Sequence, residues 1–130
     1  LEPSGIIKGV TPDDVVDYIK VRDLTKPSRL KRVMDVAVSL EVAEHIDEKY
    51  ADIYVKNITK NSDNLVFSAA TPKQGGVGHI NEQPHEYWIE KIVACGFVVD
   101  EKRTKLFRKH LILTNANKWY CNNIIVFRKQ

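Results

Sequence analysis

Two carboxylates and an imidazole, Glu41, Glu44 and His45, follow directly on the run Val36-Ala37-Val38-Ser39-Leu40, which is apolar but for its serine. Glu41 and Glu44 are three residues apart, so on a helical turn they share a face, with His45 beside them. Such groups remove or hold protons, and the same side chains ligate divalent cations. A second imidazole, His79, stands behind Gly75, Gly76 and Gly78 and ahead of Asn81 and Glu82. A strand that delivers these groups at its carboxyl end builds a site where open α/β sheets bind their ligands.

The elements that must position these groups follow from periodicity. The β-branched Val36 and Val38, with Ala37 and Leu40, make 35–40 the clearest buried strand, running into the acidic segment. Residues 47–60 have helical spacing, with Tyr50, Ile53, Tyr54, Asn57 and Ile58 on one face and Lys49, Asp52, Lys56 and Lys60 turned to water. The polar stretch 61–64 stops that helix, and 65–70 (LVFSAA) is a second buried strand. Pro72 and the three glycines keep 71–83 irregular, Pro84 opens a helix to about residue 94, and Gly96 closes it. Tyr87, Trp88, Ile92 and Val93 form its expected inward face. A short strand at 97–99, a basic helix or turn at 101–110 and a final strand at 122–128 complete this part, with 111–116 ambiguous. Nearer the N-terminus, 6–10 reads as a strand, 11–14 as a helix start and 18–23 as an alternating strand, with a loop at 26–28. Strands alternating with helices predict an α/β fold with a largely parallel sheet. The first two strands are too close in sequence for a parallel crossover of about a dozen residues, so they pair differently or are not neighbours.

The whole chain, at 130 residues, suits one domain with one core. With 43% hydrophobic and 28% charged residues it does not have the composition of a disordered protein. A net charge of +3 with mixed signs along the chain does not by itself mark a nucleic-acid binder. No apolar run approaches the roughly 18 residues of a membrane span, and there is no signal-peptide layout, which points away from a membrane and to the cytoplasm. Cys95 and Cys121 form no disulfide framework and are expected to be reduced and buried.

From Asp23 onward the chain resembles the second half of a class I S-adenosylmethionine-dependent methyltransferase. The matching pieces are Asp23-Leu24-Thr25-Lys26-Pro27, the segment 35–45 (DVAVSLEVAEH), 67–72 (FSAATP), and 75–84 (GGVGHINEQP) with Tyr87-Trp88 behind it. The resemblance implies an incomplete Rossmann-like sheet, largely parallel with an antiparallel C-terminal strand and helices on both faces, formed by residues 1–130 as one partial domain. It implies S-adenosylmethionine as cofactor, with Asp23 and Leu24 at the adenine and Ser39, Leu40 and Glu41 at the methionine end. It places His79, Asn81 and Glu82 in the loop over the acceptor, with His79 or Glu41 as base. Trp88 and Tyr87 are expected in the core or a pocket wall, with contact to an acceptor, through Trp88, as the alternative. The family's glycine-rich cofactor loop has no counterpart before residues 6–10, and Asp13 is a displaced candidate for the ribose-binding acid. With Leu1 in place of methionine, the chain is read as starting inside a larger domain, and the sheet edge left by the missing strand predicts self-association.

The function expected on this basis is methyl transfer to an oxygen or nitrogen of a small-molecule or glycan acceptor, ahead of a nucleic acid. The alternatives are a non-catalytic remnant that serves as a binding or assembly module, and a metal-assisted enzyme. For the last, small-RNA 2′-O-methyltransferases have a similar E-x-x-E-H with a later His that together hold a divalent ion, which here points to Glu41, Glu44, His45 and His79. No metal is the first expectation, with Glu44 and His45 capping and orienting the following segment. The plain alternative for His79 is packing of the glycine-rich turn against Trp88. Gly75-Gly76-x-Gly78 lacks the Lys-Ser/Thr of a phosphate loop. His85, His110 and the basic run Lys102, Arg103, Lys105, Arg108 and Lys109 are expected in solvent, and Trp119-Tyr120 beside the last strand.

Overall fold

The computed structural model describes residues 21–28 and 32–130. The expectations for 6–10, 11–14 and 18–20 lie outside the described residues. The elements in order are β1 (Ala37–Leu40), two 3-10 turns (Ala43–His45 and Glu48–Tyr50), α1 (Ala51–Thr59), β2 (Asn64–Ser68) and α2 (His85–Val93). They continue with β3 (Phe97–Val99), α3 (Glu101–Leu113), α4 (Lys118–Asn123) and β4 (Ile125–Lys129).

The strands form one mixed sheet in the order β1-β2-β4-β3. β1 runs parallel to β2, in the register Ser39 to Phe67, while β4 is antiparallel to both β2 and β3. The last strand is thus inserted, reversed, between β2 and β3. Among the described residues the sheet therefore has one parallel pairing and two antiparallel ones, in place of the largely parallel arrangement expected.

Alternation along β2 and β4 sorts the helices onto two faces. Leu65, Phe67, Ile125 and Phe127 point into the main core with Tyr54 and Val55 of α1 and Trp88 and Ile92 of α2. Val66 and Val126 point the other way, where Leu111 of α3 packs on them. Trp88 is 1% exposed and stacks edge-on with Tyr54 and Tyr87, its ring also tilted against Phe67. Val93 lies on the outer side of α2, so the inward face of that helix is narrower than its sequence suggested.

Local chemistry explains the boundaries. The Asp47 carboxylate accepts the Lys49 N–H at 3.1 Å, starting the turn that leads into α1. Pro84 precedes α2, and Gly96 takes the left-handed conformation (φ 88) that ends it. Asp100 accepts the Arg103 N–H at 2.9 Å and caps α3, while Asn117 caps α4 through Trp119 at 3.1 Å.

β1 is not the buried strand its composition predicted. Val38 is 61% exposed, because β1 is the sheet edge among the described residues and its Val38 face lies beyond the reach of α3 and α4. Only Ser39 is buried, its hydroxyl hydrogen-bonded to the Tyr54 hydroxyl. Arg108 is also not a free solvated cation: its Nε donates to the Ile124 carbonyl at 2.9 Å. Cys95 and Cys121 are free and half-buried rather than fully enclosed. No described helix is long and apolar enough to cross a membrane.

Candidate metal centre

The site begins where β1 ends. Glu41 takes a left-handed conformation (φ 50), and its N–H donates to the Ser68 carbonyl at 3.0 Å. A non-glycine residue there is strained and breaks the strand, and the turn Ala43–His45 follows at once. That turn tucks Ala43 and Glu44 inside the protein while His45 stays outside.

The 71–83 loop is then laced onto the turn. The Glu44 carbonyl accepts the N–H groups of Ile80 and Asn81, both at 3.0 Å, and the Asn81 amide donates to the Ile46 carbonyl at 3.0 Å. These bonds bring His79 over Glu44. Gly76 makes room for it: a Cβ built there would lie 2.3 Å from His79 Nε2.

Glu44, His45 and His79 each offer a ligand atom, and these atoms lie within 4.8 Å of one another. Glu44 is 0% exposed, and among the described residues neither carboxylate oxygen has a hydrogen-bond partner. His79 Nε2 approaches Glu44 Oε1 to 3.9 Å, too far for a hydrogen bond. Burial pushes the Glu44 carboxyl above its ordinary range; the charge of Glu41 adds to this, while the backbone amides of Glu44 and Ala70, near the carboxylate but outside hydrogen-bond geometry, pull it partway back.

Both imidazoles are oriented from behind. His45 Nδ1 lies 3.0 Å from the Gly78 carbonyl, which can only accept, so that nitrogen holds the hydrogen and Nε2 the lone pair. His79 Nδ1 lies 2.9 Å from Glu82 Oε1, which leaves His79 Nε2 as its free lone pair toward Glu44. The bond from His79 holds the Glu82 carboxyl below its ordinary range, with the amides of Gly75 and Lys73 acting in the same sense against partial desolvation. The two rings meet edge-on with centroids 5.0 Å apart.

Other residues singled out in the sequence divide cleanly. Glu41 is turned from the cluster: its Oε2 accepts from Gln74 at 2.9 Å and its Oε1 from Asn123 at 3.5 Å. Asn81 spends its amide on Ile46 and accepts from Gln83 at 2.8 Å, a structural role in place of the expected acceptor contact. Trp88 is enclosed in the core, as first expected, and presents no surface for the alternative contact with an acceptor. Asp23 caps its own turn, accepting from the Thr25 N–H at 3.0 Å, and Leu24 packs on the main core. Leu40 lies half-buried against Val66 and Ile124. The aromatic neighbours of Trp88 are Tyr54, Phe67 and Tyr87, whereas the ring beside His79 is His45.

Sequence reasoning missed Gln74, Asn123 and the pocket beside them. Asn123 Nδ2 donates to Gln74 Oε1 at 2.8 Å, so one amide chain joins α4, the loop and Glu41. A pocket of about 230 Å³ opens here, lined by Thr71, Pro72, Lys73, Gln74, Trp119, Asn122 and Asn123. The larger cleft, about 400 Å³ between α1 and α2, contains the Lys91–Asp52 ion pair and touches none of the site residues.

The chain matches no known family model, and no curated protein or solved structure is similar enough to it to count as a match.

Proposed function

We propose that Glu44, His45 and His79 hold a divalent cation, and that the chain is the acceptor-side part of an S-adenosylmethionine-dependent methyltransferase whose acceptor atom is an oxygen. The observation that carries the reading is Glu44: a fully buried carboxylate whose oxygens have no hydrogen-bond partner among the described residues, facing two imidazoles whose outer nitrogens are already engaged. Buried charges are paired or coordinate metals, and among the described residues no cationic side chain is within hydrogen-bonding reach of this one. Two imidazoles with one carboxylate suit the transition-metal dications better than Mg²⁺ or Ca²⁺, which favour oxygen ligands.

The donor set fits a cation with modest closure, since ligand bonds of about 2.1 Å require the three donor atoms to draw in by side-chain rotation. A bound cation supplies Lewis acidity to an acceptor hydroxyl. The chain's own residues do the rest. Glu44 supplies negative charge from a water-excluded position, His45 and His79 fix the donor directions, and the polar pocket at Gln74 and Asn123 offers amides for orienting an acceptor. Methyl transfer is an in-line displacement in which positioning is the main demand on the protein, with removal of one proton.

The methyl-transfer half rests on the motif resemblance, and an α/β sheet whose last strand is antiparallel to its neighbours is compatible with it. Calorimetry with S-adenosylhomocysteine on the 130-residue chain tests it, with and without Co²⁺. Saturable binding that weakens in Glu41→Ala is the expected result. No heat at millimolar ligand, in protein that still binds Co²⁺, removes methyl transfer from the account and leaves a cation-binding module.

A further inference from the structure

Glu82 makes a set of contacts that its expected role at an acceptor does not explain. Its Oε1 accepts both from His79 Nδ1 at 2.9 Å and from the Gly75 N–H at 2.7 Å. Its Oε2 accepts the Lys73 N–H at 2.9 Å. Both amides belong to residues in the left-handed conformation, Lys73 at φ 75 and Gly75 at φ 71. A lysine in that region is strained, so this backbone persists only where something holds it. One carboxylate therefore holds two things: the hydrogen-bearing nitrogen of His79, and the strained backbone on either side of Gln74.

The second of these is a wall of the pocket. Lys73 and Gln74 line the cavity of about 230 Å³, and Gln74 passes hydrogen bonds on to Glu41 and Asn123. A carboxylate behind a ligating imidazole fixes its tautomer and raises its basicity, and such partners are worth about 10–100-fold in metal affinity. Drawing His79 toward a cation pulls on the same oxygen that holds Gly75.

We propose that Glu82 is the positioning residue of the cation centre and that it couples cation occupancy to the shape of the neighbouring pocket. The proposal rests on the reading of Glu44, His45 and His79 as a cation centre. Coupling of this kind is reciprocal: whatever fills the pocket and stiffens residues 73–75 also tightens cation binding.

The test compares wild type with Glu82→Gln, which keeps one acceptor oxygen in place of two. Calorimetry with Co²⁺ should show the variant binding about 10–100-fold more weakly. In the metal-free proteins, imidazole nitrogen NMR should find the hydrogen of His79 on Nδ1 in wild type and redistributed toward Nε2 in the variant. A residue that only stabilised the loop would leave that tautomer unchanged. Saturating Co²⁺ should slow amide exchange of the 71–78 peptide in wild type and leave it unaltered in the variant. Equal Co²⁺ affinity in the two proteins, or equal slowing of exchange, overturns the proposal while the centre stands. Absence of Co²⁺ binding in wild type overturns the centre itself and the coupling with it.

Discussion

Glu44→Gln abolishes cation binding and makes the metal-free protein more stable at neutral pH. The loss of affinity should exceed about 100-fold, because a ligand is removed and outer partners alone are worth 10–100-fold. The gain in stability has a definite sign. Burial raises the folded-state pKa of Glu44 above its ordinary value of 4.5, so the folded protein holds this proton at pH values where the unfolded chain has released it. The contribution of Glu44 is fully present below about the ordinary value and is lost as pH rises toward the raised one, at up to about 1.4 kcal/mol per pH unit. Glutamine has no proton to lose. Melting in chelator from pH 4 to 8 should therefore show wild type falling relative to the variant through this window and level beyond it. Adding Co²⁺ should reverse the order, by about 2.7 kcal/mol at one hundred times the dissociation constant. A variant with the same pH dependence as wild type would mean that Glu44 does not titrate as its burial requires.

Gly76→Ala separates binding from folding. Its Cβ would lie 2.3 to 2.8 Å from three atoms of the His79 ring, so the ring must swing out, breaking its bond to Glu82 and leaving Glu44. The backbone of Gly76 is outside the left-handed region, so alanine is tolerated there and also restricts the unfolded chain by about 0.4–1 kcal/mol. Co²⁺ affinity should fall more than about 100-fold, as for loss of a ligand, with little change in melting temperature. Gly75→Ala is the opposite case. Gly75 has φ 71 and open space around it, so alanine there destabilises by about 1–2 kcal/mol while meeting no atom of His79. Co²⁺ affinity, touched only through the Gly75 bond to Glu82, should fall far less than in Gly76→Ala. If Gly76→Ala retained full affinity, His79 would not be a ligand.

The elements whose signals are local were legible in the sequence. The run 65–70, Pro84 ahead of α2, Gly96 behind it and the glycines of 71–83 each specify their own backbone, and β2, α2 and the loop stand as expected. The exposure of β1 was not legible, because five apolar or small residues read the same whether a helix covers them or not; Val38 is exposed only because α3 and α4 cover β2 and β4. The parting of Glu41 from Glu44 was equally hidden. A helical spacing put them on one face, but the left-handed Glu41 precedes the turn and sends its carboxylate to Gln74 and Asn123, the latter 82 residues away. Of the four residues in the metal alternative, Glu44, His45 and His79 come together, while Glu41 is turned away to Gln74 and Asn123. Gly76 three residues before His79 was visible as a pair in the sequence, yet nothing local said that the ring lies over the glycine.

The central claim is that this cluster is a cation centre, and calorimetric titration of the metal-free wild-type chain with Co²⁺ tests it most directly. The account predicts one saturable site per chain, with its heat lost in Glu44→Gln and a Co²⁺ visible absorption band appearing in step. No saturable binding, or a site that survives in Glu44→Gln, would contradict it.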